Sequence, residues 1–369
     1  MKRIPLFIFL AVLPFVLFSC GGGSSSGSDS QNQAATVSKE INSLKADGLN
    51  GDIKSVRQRV YWSLEKFGRI EKGKLQNMKA QDFLKVYNED GFLIEETHYD
   101  VSDKEMTRLV ISYTGKNKPE KEVFYTEGKL TSVTNYTYEN NVLKQKETLD
   151  ENDKLKERYE YSYYDNGLLM DEDKYGANNQ LAQKTVHTYN DSGKLFEKQY
   201  YWGGGSPYKK ETFKYDENGN SSTVKTDKYQ KKDPIFDGLI EYEDYNSRND
   251  YQTKNTYNKE SEKVETVDYV YNAYGNLTTY LIKKLTKETV KYEVDEIVDA
   301  EDSGIDDYIV KESGGVVTEV VNNWVISSGE SFEYTYDAQN NWTRKITYKI
   351  DSEETHSRQF YYERIIEYR

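Results

Sequence analysis

The stretch Tyr163-Tyr164-Asp165-Asn166-Gly167-Leu168-Leu169 decides how this chain is read, because it returns along most of the sequence. Close copies are Tyr87-Asn88-Glu89-Asp90-Gly91-Phe92-Leu93 and Tyr189-Asn190-Asp191-Ser192-Gly193-Lys194-Leu195. Others are Tyr215-Asp216-Glu217-Asn218-Gly219-Asn220, Tyr271-Asn272-Ala273-Tyr274-Gly275-Asn276-Leu277 and Tyr336-Asp337-Ala338-Gln339-Asn340-Asn341-Trp342. The anchors Tyr87, Tyr113, Tyr138, Tyr163, Tyr189 and Tyr215 stand 25 or 26 residues apart, with weaker copies midway at Tyr125 and Tyr175. A unit of about 13 residues, one strand and one tight turn, accounts for both spacings.

Turn chemistry explains the motif. Glycine stands four residues after the tyrosine, where a three-residue hairpin loop needs a left-handed residue that forms a bulge. Asn179 and Asn340 take that place in weaker copies, and Asn is the next best residue for positive φ. This loop sets Tyr189 opposite Leu195, Tyr87 opposite Leu93, Tyr163 opposite Leu169, Tyr271 opposite Leu277 and Tyr336 opposite Trp342. Glu127-Gly128 and Asn140-Asn141 read as two-residue turns, setting Tyr125 against Leu130 and Tyr138 against Leu143. Each aromatic–aliphatic rung contributes about 0.2–1 kcal/mol.

Between turns, as in Leu181–Tyr189, apolar and polar residues alternate with recurring Lys, Glu and Thr. Such strands suit one aromatic and one solvated face. The expected fold is all-β: a long antiparallel meander of repeated hairpins over residues 51–369, twisted or curled on itself. A β-propeller is the alternative. The periodicity fades over about 286–330, where Asp295, Glu296, Asp299, Glu301, Asp302, Asp306 and Asp307 form an acidic run before a hydrophobic stretch. A longer hairpin with an acidic loop is expected there.

Composition agrees with sheet. The chain has 369 residues, of which 34 are Tyr, 13 Phe, 5 Pro, 3 His and 1 Cys, with 36% hydrophobic and 31% charged residues. So few cysteines and apolar residues exclude a disulfide scaffold, a Cys-rich metal protein and a polytopic helical membrane protein.

The N-terminus reads as an export signal. Lys2 and Arg3 precede an apolar run from Ile4 to Phe18, too short to span a bilayer as a helix. It ends in Leu17-Phe18-Ser19-Cys20, which resembles a lipobox. Residues 1–19 are therefore expected to be a lipoprotein signal peptide and Cys20 the lipidated residue. Residues 20–50, which open with Gly21-Gly22-Gly23-Ser24-Ser25-Ser26, read as a flexible tether of roughly 30 Å end to end. Within it, Val37, Ile41 and Leu44 fall at helical spacing behind Ser38. Loss of Lys2 and Arg3 would leave 48 basic against 63 acidic residues, a net charge of −15. A body this acidic is not expected to seek nucleic acid or anionic lipid surfaces. The expected location is the cell envelope, at the outer membrane of a Gram-negative bacterium, held by acyl chains.

The repeated units resemble the YD repeats of RHS-type proteins, and are most similar to short bacterial lipoproteins carrying degenerate copies behind a Gly/Ser tether. The resemblance runs from about Tyr87 to Arg369. It implies a β-repeat scaffold and an association with carbohydrate, and it supplies no catalytic residues. The toxin-enclosing role of long RHS shells is not expected of this much shorter sequence, in which no toxin-like tail is read.

No catalytic constellation emerges. Gly203-Gly204-Gly205 lacks the Lys-Ser/Thr and helix of a phosphate loop. His98, His187 and His356 are far apart, without metal-ligand spacing, and the acidic run lacks the order of a calcium loop. No cofactor or metal is expected. The candidate ligand-stacking residues are Tyr200, Tyr201, Trp202 and Tyr208, flat rings beside a glycine turn that can meet the apolar face of a sugar. The competing reading makes these rings further rungs of the ladder. A non-enzymatic binding or adhesion scaffold is thus expected, with carbohydrate or an envelope protein as partner. A structural subunit of an envelope complex is the alternative, and a glycan hydrolase ranks below it.

Overall fold

The computed structural model describes residues 42–76, 78, 81–115, 117–230, 233–293 and 316–369. Cys20, the leader and the Gly/Ser run lie outside them, as do Asp295 to Asp307 of the acidic segment. One helical turn, α1 (Ser43–Ala46), precedes β1 (Ile53–Lys66), β2 (Arg69–Leu75), β3 (Phe83–Tyr87), β4 (Leu93–Tyr99), β5 (Glu105–Thr114), β6 (Lys118–Thr126) and β7 (Lys129–Glu139). Then come β8 (Val142–Asp150), β9 (Leu155–Tyr163), β10 (Leu169–Gly176), β11 (Leu181–Tyr189), β12 (Leu195–Trp202), β13 (Pro207–Tyr215) and β14 (Ser221–Gln230). The last are β15 (Asp233–Tyr245), β16 (Tyr251–Tyr257), β17 (Lys263–Tyr271), β18 (Leu277–Glu293), β19 (Val316–Tyr336), β20 (Trp342–Ile350) and β21 (His356–Tyr368).

From β3 onward each strand pairs antiparallel with the next, down to β21. β1 then pairs with β21 along one edge and with β3 along the other, which closes the ring. The fold is a closed barrel of 20 strands, neither an open meander nor a propeller. The physical reason lies in accumulated twist and in edges: a long twisted sheet that brings its ends together can pair both, and closure removes exposed edges altogether. β2 stands apart, hairpinned onto the far half of β1, with Phe67 fully exposed at its tip.

All seven rungs read from the turns are cross-strand partners: Tyr87 with Leu93, Tyr125 with Leu130, Tyr138 with Leu143, Tyr163 with Leu169, Tyr189 with Leu195, Tyr271 with Leu277 and Tyr336 with Trp342. The turn residues take positive φ as their chemistry demands, at Gly91, Gly167, Gly193, Gly219, Gly275, Asn179 and Asn340. The Asp or Asn after the tyrosine has its own task. Asn190 Oδ1 accepts the backbone N–H groups of Ser192 and Lys194, and Asn272 Oδ1 those of Tyr274 and Asn276.

A second ladder links the rungs. Tyr113 Oη donates to the Leu93 carbonyl at 2.7 Å, Tyr138 to Pro119 at 3.0 Å, Tyr163 to Leu143 at 2.7 Å and Tyr215 to Leu195 at 2.8 Å. Tyr245 reaches Ser221 in the same way. In each case the acceptor faces the preceding motif tyrosine, so hydroxyls stitch neighbouring hairpins along one rim.

The two faces of the wall differ. Tyr87, Lys345, Tyr362, Arg364 and His187 lie on the inner one. There burial pushes the Lys345 ammonium down to about 8, with Arg364 adding repulsion, and the His187 imidazole down to about 4. The midway tyrosines point outward instead: Tyr99, Tyr125 and Tyr175 lie beneath Arg57, Arg108 and Arg158 at 4.3, 4.6 and 4.4 Å. Outward ion pairs join Lys184 to Asp171 at 2.7 Å, Lys210 to Glu197 at 3.4 Å and Lys283 to Asp268 at 2.6 Å.

Residues 42–50, grouped by composition with the tether, are folded onto the barrel. Asn42 caps α1, and Leu44 and Leu49 pack with Ile53, Val56, Phe83 and Tyr87. This segment meets the β3–β4 turn through Leu44 N–H to the Gly91 carbonyl, and the β19–β20 turn through Asn50 and Asn341. It therefore spans the strands that close the ring.

Candidate functional site

The rings singled out in the sequence sit where β12 turns into β13. Strand alternation sends Tyr200 and Trp202 to the inner face and Tyr201, opposite Lys184, to the outer one. Tyr201 is thus separated from the other three. Tyr208 joins the inner pair through a register shift: Tyr201 faces Pro207 while Tyr200 faces Lys209, leaving Tyr208 as the extra residue of a bulge. Its ring stacks on Trp202 at 4.1 Å with planes 22° apart, and lies 6.0 Å from Tyr200. The turn itself requires Gly203, because a Cβ there would meet the Leu181 carbonyl at 1.7 Å.

Tyr200 and Tyr208 form one side of a cavity of about 170 Å³ in the inner wall, completed by Tyr159, Glu172, Lys174, Gln183 and Thr185. Trp202, 51% exposed, stands at its edge through its stack with Tyr208. The polar groups divide into two sets. Tyr200 Oη donates to Glu211 at 2.7 Å, and Lys209 Nζ reaches the same carboxylate at 2.8 Å while lying 4.3 Å over the Tyr200 ring. Burial pushes Glu211 up, but these two bonds outweigh it and hold the carboxyl below its usual range. Lys174 is held by Glu157 at 3.0 Å.

Glu172 makes no hydrogen bond or ion pair among the described residues. Burial raises its pKa against the opposing pull of Lys198, Lys146 and Lys174. An inward carboxylate with open acceptor sites, flanked by three phenol rings, an amide and a hydroxyl, can accept hydrogen bonds from a ligand's hydroxyls while the rings meet its apolar face. The motif turns did not reveal Tyr159, Glu172, Lys174, Gln183 and Thr185. Parity holds part of the signal: Tyr159 lies four residues before Tyr163, and Thr185 and Gln183 lie four and six before Tyr189, so they share the inner face.

His98, His187 and His356 lie on β4, β11 and β21. Among the described residues no group of three or more His, Cys, Asp or Glu side chains is placed to hold a metal, and no helix is long and apolar enough to cross a membrane.

No protein-family model matches the chain, and no curated protein matches it. Among solved structures it is similar to a TcdB2-TccC3-Cdc42 complex, at 10% identity and a TM-score of 0.29. That match takes in 83% of this chain, which spans only 20% of the other. It is also similar to a porin-like protein from Bacteroides uniformis, at 9% identity and a TM-score of 0.29, over 86% of this chain and 98% of that one. Part of a Photorhabdus luminescens Tc holotoxin pore matches at 12% identity and a TM-score of 0.19, over 75% of this chain and 19% of that one. Likenesses this distant carry no functional argument, which rests on the chain's own residues.

Proposed function

We propose that the protein is a non-enzymatic binding scaffold of the cell envelope, anchored by lipid at Cys20, whose barrel takes a saccharide on its inner wall. The observation that carries this reading is the cavity lined by Tyr159, Tyr200 and Tyr208 together with the unengaged carboxylate of Glu172, with Trp202 stacked on the Tyr208 ring. Ring faces meet sugar C–H groups, and Glu172, Gln183 and Thr185 meet sugar hydroxyls. The outward ion pairs fit a barrel standing in water, since a wall in lipid presents an apolar band about 25 Å tall. Attachment then falls to acyl chains, as the lipobox implies.

A glycan array probed with wild type, Trp202→Ala, Tyr208→Ala and Glu172→Gln tests the reading. Binding of a defined glycan class that is weakened by all three substitutions is expected. Failure of wild type to bind anything across a broad panel would overturn it.

A further inference from the structure

A second concavity of the barrel is on the opposite face. A groove of about 540 Å³ crosses the outer surface of β13 to β16, within the range of small-molecule sites. Its lining follows the register. Thr212 faces Lys225, Lys225 faces Leu239, and Leu239 faces Tyr257; the next row runs Lys214, Thr223, Glu241. Thr212 adjoins the inward Glu211, so both rows point out. The wall is bent here by a register shift opposite Asp227 and by Asp244, whose φ is 56°.

The groove is divided chemically. β13 and β14 supply two ammonium groups, Lys214 and Lys225, with the hydroxyls of Thr212 and Thr223 between them. β15 and β16 supply Phe236, Leu239 and the Tyr257 ring. Glu241, the carboxylate of the lining, is already engaged: Tyr257 Oη donates to it at 2.5 Å. Lys225 is held by Asp227 at 2.9 Å. Lys214 makes no ion pair or side-chain hydrogen bond among the described residues.

We propose that this groove is a second binding site, for an amphipathic organic anion: a carboxylate or sulfonate head on Lys214, and an apolar body against Phe236, Leu239 and Tyr257. The chain's net charge of −13 repels anions at long range, so the selectivity comes from the local arrangement rather than from the general field. The site is independent of the inner cavity and does not depend on its ligand.

Fluorescence titration with 8-anilinonaphthalene-1-sulfonate, set beside the uncharged N-phenyl-1-naphthylamine, tests it on the folded full chain. Wild type should bind the sulfonate saturably and at least about tenfold more tightly than the neutral dye, the scale of one charge-assisted hydrogen bond. Lys214→Met should weaken the sulfonate about tenfold and leave the neutral dye unchanged, Lys214→Arg should restore it, and Phe236→Ala should weaken both dyes. Trp202→Ala, on the other face, should change neither. No saturable binding of the sulfonate, equal affinity for the two dyes, or Lys214→Met binding it as wild type does would each overturn the proposal.

Discussion

The strands that close the ring and the strands that fill it are held by different means. Of the eleven buried apolar side chains described, only Val267 lies on β4 to β19; Leu44, Leu49, Ile53, Val56, Val60, Phe83, Tyr87 and Tyr362 lie on the closing strands β1, β3 and β21 and the segment before them, with Ile346 and Ile350 on the adjoining β20. Buried positions of the wall are mostly polar, including Thr97, Thr134, His187, Gln199, Asp227 and Asn255. Apart from β18 and β19, each wall strand meets a neighbour a few residues away, so a turn and a rung suffice to set its register. The closing strands join the two ends of the barrel: Arg364 bonds Gln58 across 306 residues of chain. Such a contact has a large loop entropy to overcome, and a conventional core supplies the driving force.

The strongest way to break that contrast is to hollow out the closure. Ile53 has no exposed surface, and Ile53→Ala should cost about 2–5 kcal/mol in urea unfolding. A cost no larger than that of a wall substitution would show the two regions to be alike. Acid probes the wall through His187, whose folded pKa of about 4 lies below its ordinary 6.5 because burial, and then Lys198, disfavours the cation. The unfolded chain therefore binds the proton first. Stability from this group is complete above about pH 6.5 and falls by up to about 3 kcal/mol as the pH drops to about 4. His187→Gln should flatten that part of the stability–pH curve, and an unchanged slope would place the sensitivity elsewhere.

Next in size is Tyr87, the one motif tyrosine inside the closure core. Its hydroxyl donates to Asp47 at 2.6 Å, so Tyr87→Phe should cost about 1.5–3 kcal/mol, the value of a bond to a charged group. Tyr163→Phe removes the corresponding wall bond, to a neutral carbonyl at 2.7 Å, and should cost about 0.5–1.5 kcal/mol. Parallel denaturation of the two variants sharpens the comparison: equal losses would mean that position in the ring does not matter.

The wall was legible in the sequence because its rules are local. Tyr163, Gly167 and Leu169 sit within seven residues and carry their turn, register and cross-strand partner in their own chemistry. Closure was not legible, since nothing near Val56 announces that Ile366 will lie opposite it. The same limit explains the rings near Trp202. Their clustering was visible, but the split of Tyr201 from its neighbours follows from strand parity, and the return of Tyr208 follows from a bulge that alternation alone does not contain. Glu172 and Gln183 arrive from strands a turn or more away, so only the folded wall brings them to Tyr200.

The outer face offers the smallest effect and the cleanest control. The motif tyrosines bond inward, whereas Tyr175 faces water beneath Arg158, 4.4 Å from its ring centre and directly across the strand pair. A cation over an exposed ring contributes about 0.5–1 kcal/mol, and the Arg158–Glu160 pair at 3.1 Å adds little in water. Arg158→Ala should therefore cost no more than about 1 kcal/mol. In a double-mutant cycle, Tyr175→Leu should remove most of the effect of Arg158→Ala. A coupling as large as the loss in Tyr87→Phe would mean that the outward tyrosines hold the barrel as firmly as the inward ones. The division of labour between the two faces would then have to be abandoned.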